Sequence, residues 1–275
     1  MPPLAPESAD AAADWLAARL TAPVPPPAFT GDMPAELRPE TEDDAYRIQR
    51  ALETRLSERG GFGPTIGWKV GATTAGMQRL LKMPGPGAGR MFRSSLVEPG
   101  SRLDPRLFRR LGIECEIAVI LAHGLDARTR PVTLDEAAAA IGEMRPAIEI
   151  VDDRYGGDFG AIGAPSLIAD NLFHARLVLG EPPDRAPSPD ELPSLVGVTL
   201  ANGREMGRGT GADVLGHPLQ AVVWLANRLG QLGRTVEAGE IVMTGSLPLP
   251  YWIAPGDRIE IRIDRLGAVA VSFDG

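Results

Sequence analysis

From Thr65 onward the chain is a succession of short β-type runs broken by Gly, Pro and Asn-Gly turns, and this limits the available folds more than any other feature. The runs read TIGWKVGA, GIECEIAVIL, PAIEIVD, ARLVLG, SLVGVTL, GEIVMTG, DRIEIRID and AVAVSF. One clear helical pattern interrupts them. GHPLQAVVWLANRLGQL puts Pro218 in the first turn and Leu219, Val222, Val223, Leu225, Ala226 and Leu229 on a face suited to packing against a sheet. Because the strands are not each followed by a helix, the regular alternation of a doubly wound fold is missing. The expected class is α+β, a mixed β-roll or sandwich. Asn202-Gly203, between two β-type runs, predicts a tight hairpin turn.

Ahead of this body the pattern is helical. Ser8 to Leu20 reads as an alanine-rich helix capped by Ser8, ended by the proline-rich APVPPPAF stretch from Ala22 to Phe29. A second helix starts at Thr41, a good N-cap. It has acids in its first turn, one apolar face made by Ala45, Ile48, Leu52 and Leu56, and Gly60-Gly61 at its end. The expected organisation is an N-terminal helical cap region over 1–64 and a β-rich catalytic domain over 65–275.

Composition removes several classes of function. No run of eighteen apolar residues is present, and the N-terminal MPPLAPESAD has neither a basic nor an apolar signal segment, so a cytoplasmic protein without a membrane span is expected. The single cysteine, Cys115, excludes an intramolecular disulfide framework and a cysteine-based zinc cluster, and its flanking pattern makes it a packed strand residue. A formal charge of -8 over 275 residues argues against general affinity for nucleic acid. An anionic small substrate would need local positive charge.

The chemistry-bearing residues sit inside the apolar runs. Glu114 and Glu116 are two apart in a strand, so they share a face, while Cys115 and Ile117 point the other way. Two explanations fit: a wet outer face of an antiparallel sheet, or a hard divalent cation held between two carboxylates on stiff backbone. Glu149, between Ile148 and Ile150 in a second apolar strand, is a candidate third ligand. Three carboxylates on two strands leave about three octahedral positions for water and substrate, as suits Mg²⁺ or Mn²⁺. Asp152 and Asp153 follow at a turn, where solvated or capping roles are expected.

Lys69, in GWKVGA, is a candidate general base whose pKa burial would lower, with a lysine snorkelling from a strand edge as the alternative. Arg90 and Arg93 are candidates for a substrate carboxylate. GRGTGAD lacks a Walker lysine and the strand–turn–helix context of a nucleotide cradle, and reads instead as a loop passing close to the cavity. Ser246 lacks a nucleophile elbow, and with only His123, His174 and His217 in the chain a serine triad has little support. His217, just before Pro218 at a helix start, reads as structural.

The ordered set DAYRIQ, GWKVGAT with MQRLL, ECEIAVIL, PAIEIVDDR, IADN, GTGADVLGHPLQAVVWLANRLGQLG, GEIVMTGSL and APGDRIEIRI with LGAVAVSF, spread from about Thr41 to Phe273, resembles the fumarylacetoacetate hydrolase superfamily. Within it, the resemblance is to the 2-keto-4-pentenoate hydratase and 4-oxalocrotonate decarboxylase branch. It implies a mixed β-roll with an N-terminal helical region, Mg²⁺ or Mn²⁺, and assembly into homo-oligomers. It places the metal on Glu114, Glu116 and Glu149 and gives Lys69 an acid/base or substrate-positioning role. The implied substrate is a short 2-hydroxy-dienoate or 2-oxo acid from aromatic-compound catabolism. The implied reaction is hydration, with decarboxylation, acylpyruvate-type C–C hydrolysis, or loss of catalysis with metal and 2-oxo acid binding retained as alternatives.

Two departures from the family pattern bear on the pocket. Where hydratases carry PDFG or PDYG, with an aspartate that shares proton transfer, this chain has PGAG and so Gly87. Where they carry DNAS and a further small residue, this chain has DNLFHA, so Leu172, Phe173 and His174 replace small groups. Phe173 is therefore expected against the substrate, and His174 is a candidate for the proton-transfer or binding capacity lost with the aspartate, with simple packing as the alternative.

Overall fold

A computed structural model describes residues 4–22, 33–156 and 162–275. Helix α1 (Pro6–Leu20) packs on α2 (Glu42–Glu58). The β-type runs then form β1 (Thr65–Gly71), β2 (Gly87–Phe92), β3 (Leu96–Val97), β4 (Arg102–Leu103), β5 (Leu111–Leu121), β6 (Ile141–Asp152) and β7 (His174–Leu179). They continue with β8 (Val196–Ala201), β9 (Arg204–Thr210), β10 (Ile241–Ser246), β11 (Tyr251–Trp252), β12 (Arg258–Ile263) and β13 (Gly267–Phe273). Short helices α3 (Ala75–Leu81), α4 (Leu134–Ala139) and α5 (Ala164–Ala169) lie between strands, and α6 (Pro218–Gln231) is the long helix of the body.

The strands make two sheets. The larger runs β2-β1-β10-β5-β6-β7-β3, with β11 added on β5; the smaller runs β4-β13-β12-β8-β9 and packs its β12 and β13 against β6. Pairing is mixed: β1 with β10, β3 with β7 and β4 with β13 are parallel, the rest antiparallel. This is the α+β arrangement of curled sheets expected from strands without alternating helices. Helix α6 buries Leu219, Val222, Leu225, Ala226 and Leu229 and packs against β10 and α4.

Local chemistry accounts for most boundaries. Thr41 Oγ1 accepts the N–H of Asp44 at 3.1 Å, as expected of the N-cap. His217 caps α6 by accepting the Leu219 N–H at 3.0 Å on Nδ1, while its Nε2 lies 3.1 Å from Pro189 O, so it is structural. Asn202 and Gly203 take φ of 53° and 81°, the double left-handed turn that closes β8 onto β9. Other expectations need correction. Helix α1 begins at Pro6 and has no side-chain cap, because proline's fixed φ starts the helix ahead of Ser8. The segment around GRGTG is strand β9 rather than a loop, since β8 supplies its hydrogen-bonding partner. Strand β2 and the short helices α3 to α5 were not legible as periodic runs. All of the APVPPPAF stretch except Ala22 lies outside the described residues.

The helical region is bolted to β2, at one edge of the larger sheet. From α2, Gln49 Nε2 donates to Ala88 O and to Ile168 O, both at 2.8 Å, and Tyr46 Oη accepts the Ala88 N–H at 2.9 Å. These bonds fix β2 and α5 relative to one another. No helix among the described residues is long and apolar enough to cross a membrane.

Candidate active site

In the β5–β6 ladder Glu114 lies directly opposite Glu149, and Glu116 opposite Ala147. Glu114, Glu116 and Glu149 therefore emerge on one face, and one oxygen from each lies within 4.8 Å of the others. The wet-face alternative fails on burial: Glu116 is 1% exposed and Glu149 0%. Cys115, on the opposite face, is fully buried, and burial pushes its thiol pKa up.

Such a cluster is costly unless something positive joins it. Burial pushes Glu114 up to about 7, with the charge of Lys69 opposing and that of Glu149 adding to the rise. Burial and then the neighbouring carboxylates hold Glu116 well above its ordinary value. Glu116 Oε2 accepts the Gly245 N–H at 2.7 Å, but Glu116 Oε1 and Glu149 Oε2 are buried with no hydrogen-bond partner. Gly245 is required there: its φ is 107°, and a Cβ would sit 2.2 Å from Thr73 Oγ1. An all-carboxylate donor set with two orphaned oxygens fits a hard divalent cation.

Lys69 is fully buried beside this cluster, with Nζ 3.4 Å from Glu149 Oε1 and donating to Leu172 O at 3.1 Å. Burial is the largest single influence and pulls its pKa down, but the charges of Glu149, Glu114 and Glu116 together outweigh it and leave it raised. The lowered pKa expected from burial alone is thus corrected by the company Lys69 keeps.

The carbonyl that receives Lys69 belongs to an unusual stretch. Asn171, Leu172 and Phe173 have φ of 57°, 49° and 66°, three successive left-handed residues none of which is glycine. The stretch is held from β2: Asn171 Oδ1 accepts the Arg90 N–H at 2.8 Å, and Asn171 O comes so near β2 that a Cβ on Gly89 would be 2.5 Å from it. Left-handed backbone here turns Leu172 and Phe173 into the cavity wall.

The cavity has two lobes that share Gly71, Ala72, Met77, Glu114, Leu249 and Pro250. One, of about 250 Å³, is walled by Thr73, Thr74, Arg208, Asp213 and Ser246 among others. The second, of about 210 Å³, contains Lys69 as well as the shared Glu114 and is otherwise walled by apolar groups that include Leu172, Phe173 and Trp252.

Two expected site residues lie elsewhere. Arg90 pairs across the sheet with Trp68, while Lys69 pairs with Gly89, so the arginine projects from the opposite face. Its guanidinium is held by Glu240 at 2.5 Å, Glu53 at 3.2 Å and Thr65 Oγ1 at 2.7 Å, and stacks over the Trp68 ring at 4.3 Å. It is among the lining residues of neither cavity lobe. His174 sits behind Glu149, with Nδ1 2.9 Å from Glu149 Oε1 and Nε2 3.0 Å from Ser95 Oγ, which itself donates to Phe92 O at 2.7 Å. It orients a carboxylate rather than facing the cavity, because β7 pairs with β6 and places the ring against that strand. Burial is the largest single influence on Glu149 and pushes its pKa up, but Lys69 and His174 together outweigh it and leave it lowered.

The space beside Gly87 is taken by apolar side chains. A Cβ there would meet Met83 Cε at 2.7 Å, Leu172 Cδ1 at 2.9 Å and Ile168 Cγ1 at 3.1 Å, so apolar groups fill the space. The main chain of Leu172, the Gly245 N–H, Ser95 and the α3 side chains Met77 and Leu80 had no signal of their own in the sequence beyond the MQRLL motif.

Residues 83–273 match the fumarylacetoacetate (FAA) hydrolase C-terminal family. The chain belongs to the fumarylacetoacetate hydrolase family. This family member is 34% identical over 234 residues to a 2-keto-4-pentenoate hydratase of Paraburkholderia xenovorans (strain LB400), covering 84% of each chain. It is 33% identical over 231 residues to a 4-oxalocrotonate decarboxylase of Pseudomonas putida, again covering 84% of each. Its fold is similar to that of the 4-oxalocrotonate decarboxylase from Pseudomonas putida G7 complexed with magnesium and adipate, at a TM-score of 0.83, 31% identity and 98% coverage of both chains.

Proposed function

We propose that the protein is a divalent-metal-dependent lyase, a hydratase acting on a short 2-hydroxy-dienoate or 2-oxo acid of the kind formed in aromatic-compound catabolism, with Mg²⁺ or Mn²⁺ as cofactor. The observation that carries this reading is the convergence of three glutamate oxygens within 4.8 Å beside a buried lysine at the meeting point of two cavity lobes. Similarity to a hydratase and to decarboxylases across most of the chain supports it.

Glu114, Glu116 and Glu149 hold the cation in this reading. A cation held there would supply Lewis-acid stabilisation of the negative charge that develops on a bound 2-oxo acid. Lys69 Nζ moves the proton that turns the dienol into the unsaturated ketone, after which water adds across the distal double bond. Leu172 O and Glu149 Oε1 hold the ammonium in place between turnovers. His174 and Ser95 keep Glu149 aimed. Phe173 bounds the substrate's far end. The chemistry belongs to residues 65–275, and the helices of 1–64 brace β2 through Gln49 and Tyr46. A cytoplasmic location and assembly into homo-oligomers complete this reading.

One observation favours a second reading, decarboxylation on the same scaffold. The position at which hydratases carry an aspartate is filled here by Leu172, Met83 and Ile168 around Gly87, so any proton delivered from that side has lost its donor. A single assay separates the two. With Mg²⁺, hydration bleaches the absorbance of a 2-hydroxy-dienoate and releases no CO₂, whereas decarboxylation of a 2-oxo diacid releases CO₂. The expected result is bleaching that a chelator abolishes and Mg²⁺ restores; bleaching indifferent to the chelator rejects the metal reading.

A further inference from the structure

The two lobes of the cavity differ in what they can hold. The lobe that contains Lys69 is walled by Met77, Leu80, Leu81, Leu172, Phe173 and Trp252. Its charged groups are Lys69 and Glu114 alone, and both stand at the carboxylate cluster. Leu80 is 55% exposed and Leu249 71%, and both line this lobe, although few large apolar side chains among the described residues are so open to solvent. An apolar rim that leads down to a chelation site is an unfavourable surface to leave in water.

We propose that this lobe takes the distal end of the substrate and selects an alkyl or aryl tail, so that the preferred substrate is a monocarboxylic 2-oxo or 2-hydroxy-dienoic acid and a second carboxylate at the far end is rejected. The inference rests on the metal-dependent reading above. A distal carboxylate in this lobe would lose its water and find no cation in exchange, because Lys69 is committed to Glu149 and Leu172 O. Arg110, behind the wall, stacks over the Trp252 ring at 4.1 Å and pairs with Asp153 Oδ2 at 3.3 Å rather than lining the lobe. The other lobe does offer a cation, Arg208, but there it is bound to Glu205 at 2.7 Å, and the lining of that lobe also includes the carboxylate of Asp213.

The residues responsible are those that set this chain apart. With Gly87 in place of an acid, the Leu172 side chain occupies the room, and the left-handed run at 171–173 turns Phe173 beside it. The exchange of an acid for an apolar plug thus alters which tail fits as well as how protons move.

Calorimetric titration of the full chain in saturating Mg²⁺ with oxalate, 2-oxoheptanoate and 2-oxoadipate tests this. Oxalate reports the chelate alone; the other two differ only at the far end. 2-Oxoheptanoate is expected to bind about tenfold or more tighter than 2-oxoadipate. Leu80→Arg, on the exposed turn of α3 and checked for folding by thermal melting, is expected to shrink that ratio by about tenfold by placing a cation at the rim. If oxalate itself fails to bind, the metal reading falls. If oxalate binds and 2-oxoadipate matches or exceeds 2-oxoheptanoate, this inference alone is overturned, and loss of that preference in Arg208→Ala or Arg110→Ala would say which cation holds the tail.

Discussion

Two of the acids on strand β6 are of opposite character. Glu149, in its middle, joins Glu114 and Glu116 in a buried cluster that leaves Glu116 Oε1 and Glu149 Oε2 without partners. Asp152, at its end, and the adjacent Asp153 are as deeply buried, at 4% and 1% exposed, yet every contact is internal. Asp152 Oδ1 accepts the N–H groups of Arg109 and Arg110 at 2.8 and 2.9 Å, and Asp153 Oδ1 accepts that of Tyr155 at 3.0 Å. Burial alone therefore does not distinguish an acid that builds a turn from one that serves a ligand. The distinction lies in unspent acceptor capacity: the aspartates satisfy backbone donors, whereas the glutamates face one another and leave Glu116 Oε1 and Glu149 Oε2 without a donor.

That contrast can be broken by exchanging single oxygens. The largest effect is expected for Glu116→Gln, which keeps the shape and removes a ligand. Mg²⁺ affinity measured by calorimetry should fall more than about 100-fold, beyond what losing an outer partner costs, while the melting temperature without metal stays level or rises as repulsion is relieved. A sharp fall in metal-free stability would instead make Glu116 a structural acid like its neighbours on β6. Asp152→Ala should do the reverse. It strands two backbone donors and is expected to cost about 2–3 kcal/mol in denaturant unfolding, with Mg²⁺ affinity changed much less. The smallest of the three effects is expected for His174→Ala, which frees Glu149 Oε1 from one partner and should weaken Mg²⁺ binding toward the lower end of roughly 10–100-fold. His174→Asn, retaining a donor toward Glu149, should recover most of it. A change in melting temperature with metal affinity intact would show that the ring only packs.

The same contrast shows how far the sequence could be read. Glu114, Glu116 and Glu149 were identifiable because β-strand geometry is local: a period of two in an apolar run fixes which side chains share a face. Lys69 was identifiable for the same reason, as a charge inside a run that otherwise asks for burial. Arg90 was not, because one residue of register decides whether a side chain faces the cavity or Glu240, and register belongs to the pairing of β1 with β2. His174 looked like a replacement acid–base group, yet the pairing of β7 with β6 sets it behind Glu149. The run at 171–173 was illegible altogether, since nothing in Asn-Leu-Phe calls for three left-handed residues. They are held by contacts from outside the run: β2 grips Asn171, Lys69 Nζ donates to Leu172 O and the Tyr155 ring packs edge-on against Phe173.

What the sequence by itself determined is the alternation of apolar and charged groups along each strand, the caps of the helices that start at Glu42 and Pro218, the Asn202-Gly203 turn, and the absence of an acid at Gly87. Tertiary structure alone decided which charges meet. It set Lys69 near enough to three carboxylates to reverse the effect of its burial, turned Arg90 away, and folded Leu172 and Phe173 over the cavity. The reason is physical: conformational preferences act over a few residues and survive in any context, whereas electrostatic partnership falls off over a few ångströms and depends on which strands are neighbours.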